Sequence, residues 1–197
     1  MSTERNQRRT LDEIEQLGLA QAGDAVLATA AARFRLPAER PDATATLARL
    51  RDAAERLRAT GSFNNGIGIA APQLGAARAA AVVLPPPGPR TVALLNPRVE
   101  WLSPELDSPQ YEGCLSFFGV SGLLRRPLSA RVSWCDPDGR RTEETFTHGL
   151  ARLVTHELDH LAGTLYTERI EPSTRLVAVE SEPLTRARWR YPPEPVP

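Results

Sequence analysis

The chain has 197 residues, of which 41% are hydrophobic and 24% charged, and its 24 basic and 24 acidic residues give a formal net charge of zero. This profile favours one globular domain and gives no electrostatic reason to expect an acidic membrane or specific nucleic-acid readout. All the basic residues are arginine, which excludes chemistry that needs a Schiff-base or phosphate-binding lysine. Cys114 and Cys135 make no disulfide framework, and no leader-like or bilayer-length apolar run is visible, so we expect a cytoplasmic protein.

The first sixty residues are predicted to be partly helical. Residues 1–10 are polar and expected to fray, and residues 11–40 are expected to form short helical pieces. A longer helix is predicted at about 43–60, capped by Asp42 and ended by Gly61. Its apolar residues recur at helical spacing: Leu47, Leu50, Ala54 and Leu57.

The middle of the chain predicts strands. The glycine-rich segment 64–73 is interpreted as a loop that enters a short buried strand. Further strands are predicted from apolar or alternating runs at 79–84, 91–95, 98–102, 129–135 and 140–147. A proline-rich loop joins the first two runs, and the turn-forming residues 136–139 join the last two as a hairpin.

The clearest helix is predicted from Gly149 to about Gly163, where a wide apolar side indicates a core position. From Pro172 onward we expect a short helical stretch and then an extended or disordered proline-rich tail. No break in composition marks a second domain.

The core helix carries a metal-binding pattern. His156, Glu157 and His160 fit HExxH, in which positions i and i+4 share a helix face and both imidazoles reach one metal. Glu157 then lies beside the metal without being a ligand. The alternative is two histidines four apart by chance, but the chain has only 3 histidines and unpaired ones are costly to bury. The pattern therefore favours a metal site.

Two histidines need a third ligand, and the residues alone leave several candidates: Cys114, His148, Glu168 and Glu171. A thiolate at Cys114 is a strong ligand for a divalent transition metal. The alternative is that Cys114 is an ordinary buried cysteine, which behaves as a small hydrophobic residue. Cys135, on an alternating strand, is interpreted as structural.

Three segments carry a family resemblance. They read GIGIAAPQ at 66–73, EGCLS at 112–116 and HELDH at 156–160. In this order they resemble the three signature motifs of peptide deformylases, GxGxAAxQ, EGCLS and HExDH, and together they are far more specific than HExxH alone. The resemblance covers roughly residues 24–170 and implies an α+β fold, with mixed and antiparallel strands wrapped around a central helix that carries HExDH.

The resemblance also implies a domain organisation and a metal. Residues 1–23 would be a polar, partly helical extension, 24–171 the catalytic domain, and 172–197 a C-terminal extension with a proline-rich end. One divalent metal ion per chain would be held by Cys114, His156 and His160, with water as the fourth ligand. The family usually carries Fe²⁺ in the cell, and Zn²⁺, Ni²⁺ or Co²⁺ can occupy the site.

Roles for other residues follow from the same resemblance. Glu157 would act as general base and then general acid, and the Gln73 amide with the Leu115 N–H would form an oxyanion hole. Gly68 would let the backbone approach the substrate closely. The other expected substrate-binding residues are Gly66, Ile67, Glu112 and Phe117, with Leu153 and Val154 as further apolar walls.

Outer support of the metal site is expected from Glu112, Asp159 and Arg126, with Asp159 paired to Arg126 or Arg125. The sequence departs from the family pattern near the pocket, not among the metal ligands. The departing positions are Phe117, Phe118, Gly119, Ser121, His148 and Thr155.

The leading hypothesis is removal of formate from N-formylmethionine on nascent chains, with a transient ribosome contact left open. The departures motivate an alternative, a specialised deformylase for a small N-formyl metabolite. A metalloprotease and a metal-binding protein without activity are weaker hypotheses. The presence of Cys114 weakens the metalloprotease hypothesis, and intact Glu157 and Gln73 weaken the hypothesis of a protein without activity. Oligomeric state is not predicted.

Overall fold

The computed structural model describes residues 2–86, 90–179 and 189–191. Its helices are α1 (Ser2–Gln16), α2 (Arg40–Arg58) and α3 (His148–Ala162). Its strands are β1 (Ile67–Ala70), β2 (Ala80–Leu84), β3 (Val92–Leu102), β4 (Gln110–Cys114), β5 (Phe117–Leu124), β6 (Ser129–Cys135), β7 (Arg141–Thr147) and β8 (Val177–Ala178). Short 3₁₀ turns lie at Ala25–Ala28, Ala71–Leu74 and Tyr166–Glu168.

The described strands form two antiparallel sheets, one in the order β1-β2-β3-β6-β7 and one in the order β4-β5-β8. Helix α3 packs against β1, β2 and β7, and helix α2 packs against β1 and β2. Because successive strand residues face opposite sides, β2 serves both helices. Val82 joins the core cluster that contains α2 residues, and Val83 joins the cluster that contains α3 residues. The predicted α+β fold around a central helix is confirmed.

Helix α3 is placed by its apolar side. Leu150, Ala151, Leu153 and Val154 are buried in one cluster with strand residues such as Phe146. Gly163 follows the helix in the left-handed conformation, with φ of 75°, and its N–H bonds the His160 carbonyl. The predicted core helix is therefore confirmed to within one residue at its start.

The N-terminal expectations need correction. Residues 1–10 were expected to fray, but α1 runs from Ser2 to Gln16, and the buried Thr10 hydroxyl bonds the Thr60 hydroxyl at 2.8 Å. The polar composition of this segment did not predict a stable helix. The contact that anchors it, with Thr60, lies fifty residues away in the chain and has no local sequence signal. Helix α2 begins at Arg40, so Asp42 lies in its first turn and is not its cap.

The strand predictions are mostly confirmed. Strand β6 has the predicted bounds, and β7 begins one residue late. The runs at 91–95 and 98–102 are one strand, β3, whose pairing with β6 shifts register between Leu95 and Arg98. Strands β4 and β5 were not predicted, since their alternation is interrupted by glycines.

The tail is only partly described. Where a short helical stretch was expected after Pro172, Val177–Ala178 pairs with β5 instead. The remainder of the predicted extended tail, at 180–188 and 192–197, lies outside the described residues. None of the helices in the described part of the chain has the length and hydrophobicity needed to cross a membrane.

Candidate metal centre and active site

Helix α3 and the end of β4 bring the three predicted ligands together. His156 and His160 lie one helical turn apart, with ring centroids separated by 5.1 Å. Cys114 ends β4, and its Sγ lies 3.2 Å from His160 Nε2. One ligand atom from each of the three residues lies within 4.8 Å of the other two, and all three residues are buried. Side chains far apart in sequence thus converge on one point.

The chemistry of this group fits a divalent metal. His156 Nδ1 lies 2.6 Å from Glu112 Oε1, which leaves Nε2 free to coordinate. Burial lowers the pKa of His160 to about 3, assisted by His156, so its imidazole is neutral and able to coordinate. Among the described residues this is the only such group, and the other third-ligand candidates, His148, Glu168 and Glu171, are not part of it.

A cluster of buried charges supports the site from behind. Glu112 is 1% exposed, and it accepts hydrogen bonds from Arg126 at 2.5 and 3.1 Å and from Arg152 at 3.1 Å. Arg126 also reaches Asp159 at 2.5 Å, and Arg169 binds the same carboxylate at 2.6 Å. Burial alone would raise the pKa of Glu112, but Arg126 and His156 hold it far below its usual range. Glu112 therefore stays ionised and fixes the His156 ring.

Asp159 pairs with Arg126, which is one of the two partners expected for it, while Arg125 lies with Glu171. Arg152 was missed by the sequence reasoning, although it is fully buried. A sequence signal for it existed. An arginine in the middle of an otherwise apolar helix must find a buried carboxylate, and Glu112 was available.

Glu157 is a buried carboxylate with a raised pKa. It is 2% exposed, and its Oε2 has no hydrogen-bond partner among the described residues. Burial, the largest cause, raises the pKa of Glu157 to about 7, while His156 opposes the shift. A Cβ added at Gly68 would lie 2.2 Å from Glu157 Oε1. Residue 68 must therefore be glycine to make room for this carboxylate. This requirement comes from the protein itself, in addition to the expected close approach of the backbone to substrate.

Gln73 and Leu115 lie next to the ligand group. Gln73 Oε1 accepts the Ala70 N–H at 2.9 Å, which turns the amide nitrogen towards Ser116 Oγ at 3.3 Å and Cys114 Sγ at 3.8 Å. Leu115 is 5% exposed and follows Cys114 directly. The orientation of Gln73 is thus set by the backbone, and its N–H₂ donor points towards the metal site.

Comparison with known proteins agrees with this geometry. Residues 17–176 match the family model for polypeptide deformylase. Peptide deformylase 3 of Streptomyces avermitilis is 37% identical over 150 residues, which span 70% of this chain and 65% of that protein. The chain belongs to the peptide deformylase family. Membership makes it a metal-dependent hydrolase of the formamide bond, acting on the N-formyl group of nascent peptides.

Solved structures support the same assignment. The crystal structure of peptide deformylase from Thermotoga maritima aligns with a TM-score of 0.67 and 30% identity, covering 78% of this chain and 97% of that one. The class I type b peptide deformylase from Acinetobacter baumannii, solved with Met-Ala-Ser bound, aligns with a TM-score of 0.64 and 31% identity, covering 77% and 96%. These likenesses give no support to a small-metabolite substrate.

The deformylase site opens into a cavity of about 470 Å³. Its wall includes four of the five predicted substrate-binding residues, Gly66, Ile67, Gly68 and Glu112, together with the other predicted site residues Gln73, Cys114, Leu115, His156 and Glu157. His160 lies behind these, at 1% exposure. The predicted apolar wall is present in Leu153, while Val154 is fully buried and does not line the cavity.

One of the predicted substrate-binding residues lies outside the cavity wall. Phe117 packs with Cys114, Leu124 and Tyr166 and does not line the cavity, whereas Phe118 does. Successive residues of a strand face opposite sides, so the two phenylalanines of β5 cannot both face substrate. Of the other departing positions, Ser121 lines the cavity, and the Thr155 hydroxyl bonds the Ala151 carbonyl within α3.

Proposed function

We propose that the protein removes the formyl group from N-formylmethionine at the N-terminus of nascent polypeptides and releases formate, with Glu157 as the residue that moves the proton. One observation carries this proposal. A buried carboxylate with an unpartnered oxygen lies at the cavity surface, beside three converging metal ligands. That arrangement suits hydrolysis better than passive metal storage.

The metal is held by Cys114, His156 and His160 in this proposal. A bound divalent ion supplies Lewis acidity, which activates water at neutral pH. A thiolate is a soft, strongly donating ligand and suits Fe²⁺, which we propose as the ion used in the cell; Zn²⁺, Ni²⁺ and Co²⁺ also fit one sulfur and two nitrogen donors. Glu112 holds His156 in the orientation and tautomer that coordination needs.

Glu157 takes the proton from the attacking water and delivers it to the departing amine. Its burial beside Gly68 keeps bulk water from competing for this carboxylate, and its raised pKa suits both roles near neutral pH. The Gln73 amide and the Leu115 N–H donate to the oxygen on which negative charge develops. Since Gln73 is already oriented by Ala70, little rearrangement is needed when that charge appears.

Substrate is held by the cavity wall. Gly66, Ile67, Gly68, Gly113 and Leu115 all line the cavity, and an extended peptide binds along these two backbone stretches in this proposal. Leu153 offers an apolar surface for the methionine side chain. Because nascent chains are made in the cytoplasm, we propose a cytoplasmic location and a transient contact with the ribosome.

The test is formate release from formyl-Met-Ala-Ser by anaerobically purified, iron-loaded protein, with Glu157→Ala alongside. We expect kcat to fall by roughly 10³-fold in Glu157→Ala with metal content unchanged, because only the proton carrier is lost. Glu143→Ala, on the exposed strand β7, is the matched control and should retain full activity.

Two outcomes would contradict the proposal. Full activity in metal-loaded Glu157→Ala would remove Glu157 from its role. No turnover of the formyl peptide by fully loaded wild-type protein, with turnover of non-peptide formamides, would move the substrate to small N-formyl compounds.

A further inference from the structure

A short segment near the C-terminus is docked beside the cavity. This closing segment consists of Trp189, Arg190 and Tyr191. The Trp189 N–H donates to Asn65 Oδ1 at 2.9 Å, and the Tyr191 hydroxyl donates to the Asn65 carbonyl at 2.5 Å. More than 120 positions separate these partners in the chain, so the contact is purely tertiary. Asn65 directly precedes the Gly66-Ile67-Gly68 stretch that borders the cavity.

The start of helix α3 provides the second anchor for the closing segment. The Gly149 N–H donates to the Arg190 carbonyl at 2.8 Å. A Cβ added at Gly149 would lie 2.6 Å from the Tyr191 ring and 2.9 Å from the Arg190 carbonyl. The helix therefore accepts the closing segment at this distance only because residue 149 has no side chain. The segment is fixed between the loop before β1 and the first turn of α3.

The Trp189 side chain forms part of the cavity wall. It lines the same cavity as Leu153, Glu112 and His156, and it packs against the apolar cluster of α3. Its ring also lies 5.4 Å from the Arg152 guanidinium, which in turn donates to Glu112. The indole is thus half-buried and lies in the cavity wall together with Leu153, the predicted methionine surface.

We propose that Trp189 is a specificity-determining residue of this deformylase, which closes the apolar end of the cavity and packs against the side chain of the formylated residue. This inference rests on the proposed function. The physical basis is area: a tryptophan ring offers a large, rigid apolar surface at low entropic cost. Without the ring, the space beside Leu153 would open to water, and the methionine side chain would lose contact on one side.

A purely structural role would give different results. Trp189 could serve only to cover Arg152 and so keep Glu112 and His156 in place. In that case its removal would lower metal content, kcat and thermal stability together, and would leave selectivity among substrates unchanged. A specificity role changes KM and selectivity while kcat and metal content stay the same. The two roles are therefore separable by experiment.

The kinetic test compares Trp189→Ala with the wild type, both iron-loaded, on formyl-Met-Ala-Ser and formyl-Phe-Ala-Ser. We expect KM for the methionine substrate to rise roughly tenfold in Trp189→Ala, with kcat within about twofold, as for loss of apolar contact in a pocket. Preference for methionine over phenylalanine should fall by a similar factor. Trp101→Ala, on the exposed end of β3, is the matched control and should leave both substrates unaffected.

A binding measurement gives an answer that does not depend on turnover. The chain has 3 tryptophans, so Trp101→Phe/Trp134→Phe leaves Trp189 as the only indole. Addition of the product Met-Ala-Ser should change the emission of Trp189 and protect it from acrylamide quenching. An equal concentration of Ala-Ser, which lacks the methionine side chain, should do neither.

The inference would be overturned by unchanged KM and selectivity in Trp189→Ala. It would also be overturned if Met-Ala-Ser inhibits the enzyme but does not change the emission of Trp189. A joint loss of kcat, metal and thermal stability without a change in selectivity would also overturn it. Failure of the proposed function looks different, because wild-type protein would then be inactive on both formyl peptides despite full metal occupancy.

Discussion

The two sides of the active-site cavity are held in different ways. On the ligand side, Glu112 and its arginine partners form a buried network in which every charge has an opposite partner within hydrogen-bond distance. On the rim, the ends of the chain supply the contacts. Asn6 of α1 reaches the Gly61 carbonyl at 3.3 Å, and Trp189 reaches Asn65 at 2.9 Å.

This difference matters for function. Buried, paired charges fix His156, which is bound to Glu112, because moving any one of these charges would leave another unpaired in a low-dielectric interior. Single hydrogen bonds at a partly exposed rim are worth much less and can be exchanged for bonds to water. The ligand side therefore determines which reaction is possible. The rim, which includes Trp189, borders the space in which substrate would be held.

The largest expected effect comes from the ligand side. Cys114→Ala should lose nearly all bound metal and all measurable formate release, since two histidines alone make an incomplete site. Metal content after dialysis, measured by atomic emission, and activity on formyl-Met-Ala-Ser would be determined together. Cys135→Ala is the control, because Cys135 lies outside the ligand group. Full metal in Cys114→Ala would mean that another residue is the third ligand.

The next largest effect is expected on stability, from the removal of one buried charge. Arg126→Ala should destabilise the protein by about 3–5 kcal/mol, because Glu112 and Asp159 each lose a buried partner. Arg152 and Arg169 remain to compensate, so the lower end of that range is expected. Arg58→Ala removes an exposed ion pair with Glu55 and should cost less than 1 kcal/mol. Urea unfolding of both variants would measure the difference, and equal effects would show that the buried and exposed ion pairs contribute alike to stability.

A smaller effect on kcat is expected from Gln73, whose amide lies beside the candidate metal ligands. Gln73→Ala should lower kcat by roughly 10²-fold with little change in KM, because its amide acts on charge that develops only in the transition state. Gln110→Ala, whose amide bonds only Ser108 among the described residues, is the control. Steady-state kinetics would decide this, and a change confined to KM would assign Gln73 to ground-state binding instead.

The three residues of the candidate metal site were predictable from sequence because they lie in short motifs. Helical geometry alone places His156 and His160 on one face, four positions apart. Cys114 was one of four candidates by residue type, and only the family motif singled it out. The position of Arg152 inside the apolar pattern of α3 indicates that it needs a buried acidic partner. Only the structure shows that this partner is Glu112.

Elsewhere the sequence pattern was less informative. Phe117 and Phe118 are chemically equivalent, and only the register of β5 against β4 shows which one faces the cavity. The helix at Ser2–Gln16 has a polar composition and is anchored by Thr60, far along the chain. The division into 1–23, 24–171 and 172–197 stays a prediction.

By itself the sequence determined the family, the reaction type and the three residues that could hold a metal, because those depend on local geometry and on side-chain chemistry that a motif contains. Only the tertiary structure decided which glycine makes room for Glu157, which buried arginines hold Glu112, and that Trp189 lines the cavity. These features arise from contacts between segments up to 126 residues apart. Their energies depend on burial and pairing that no local pattern encodes.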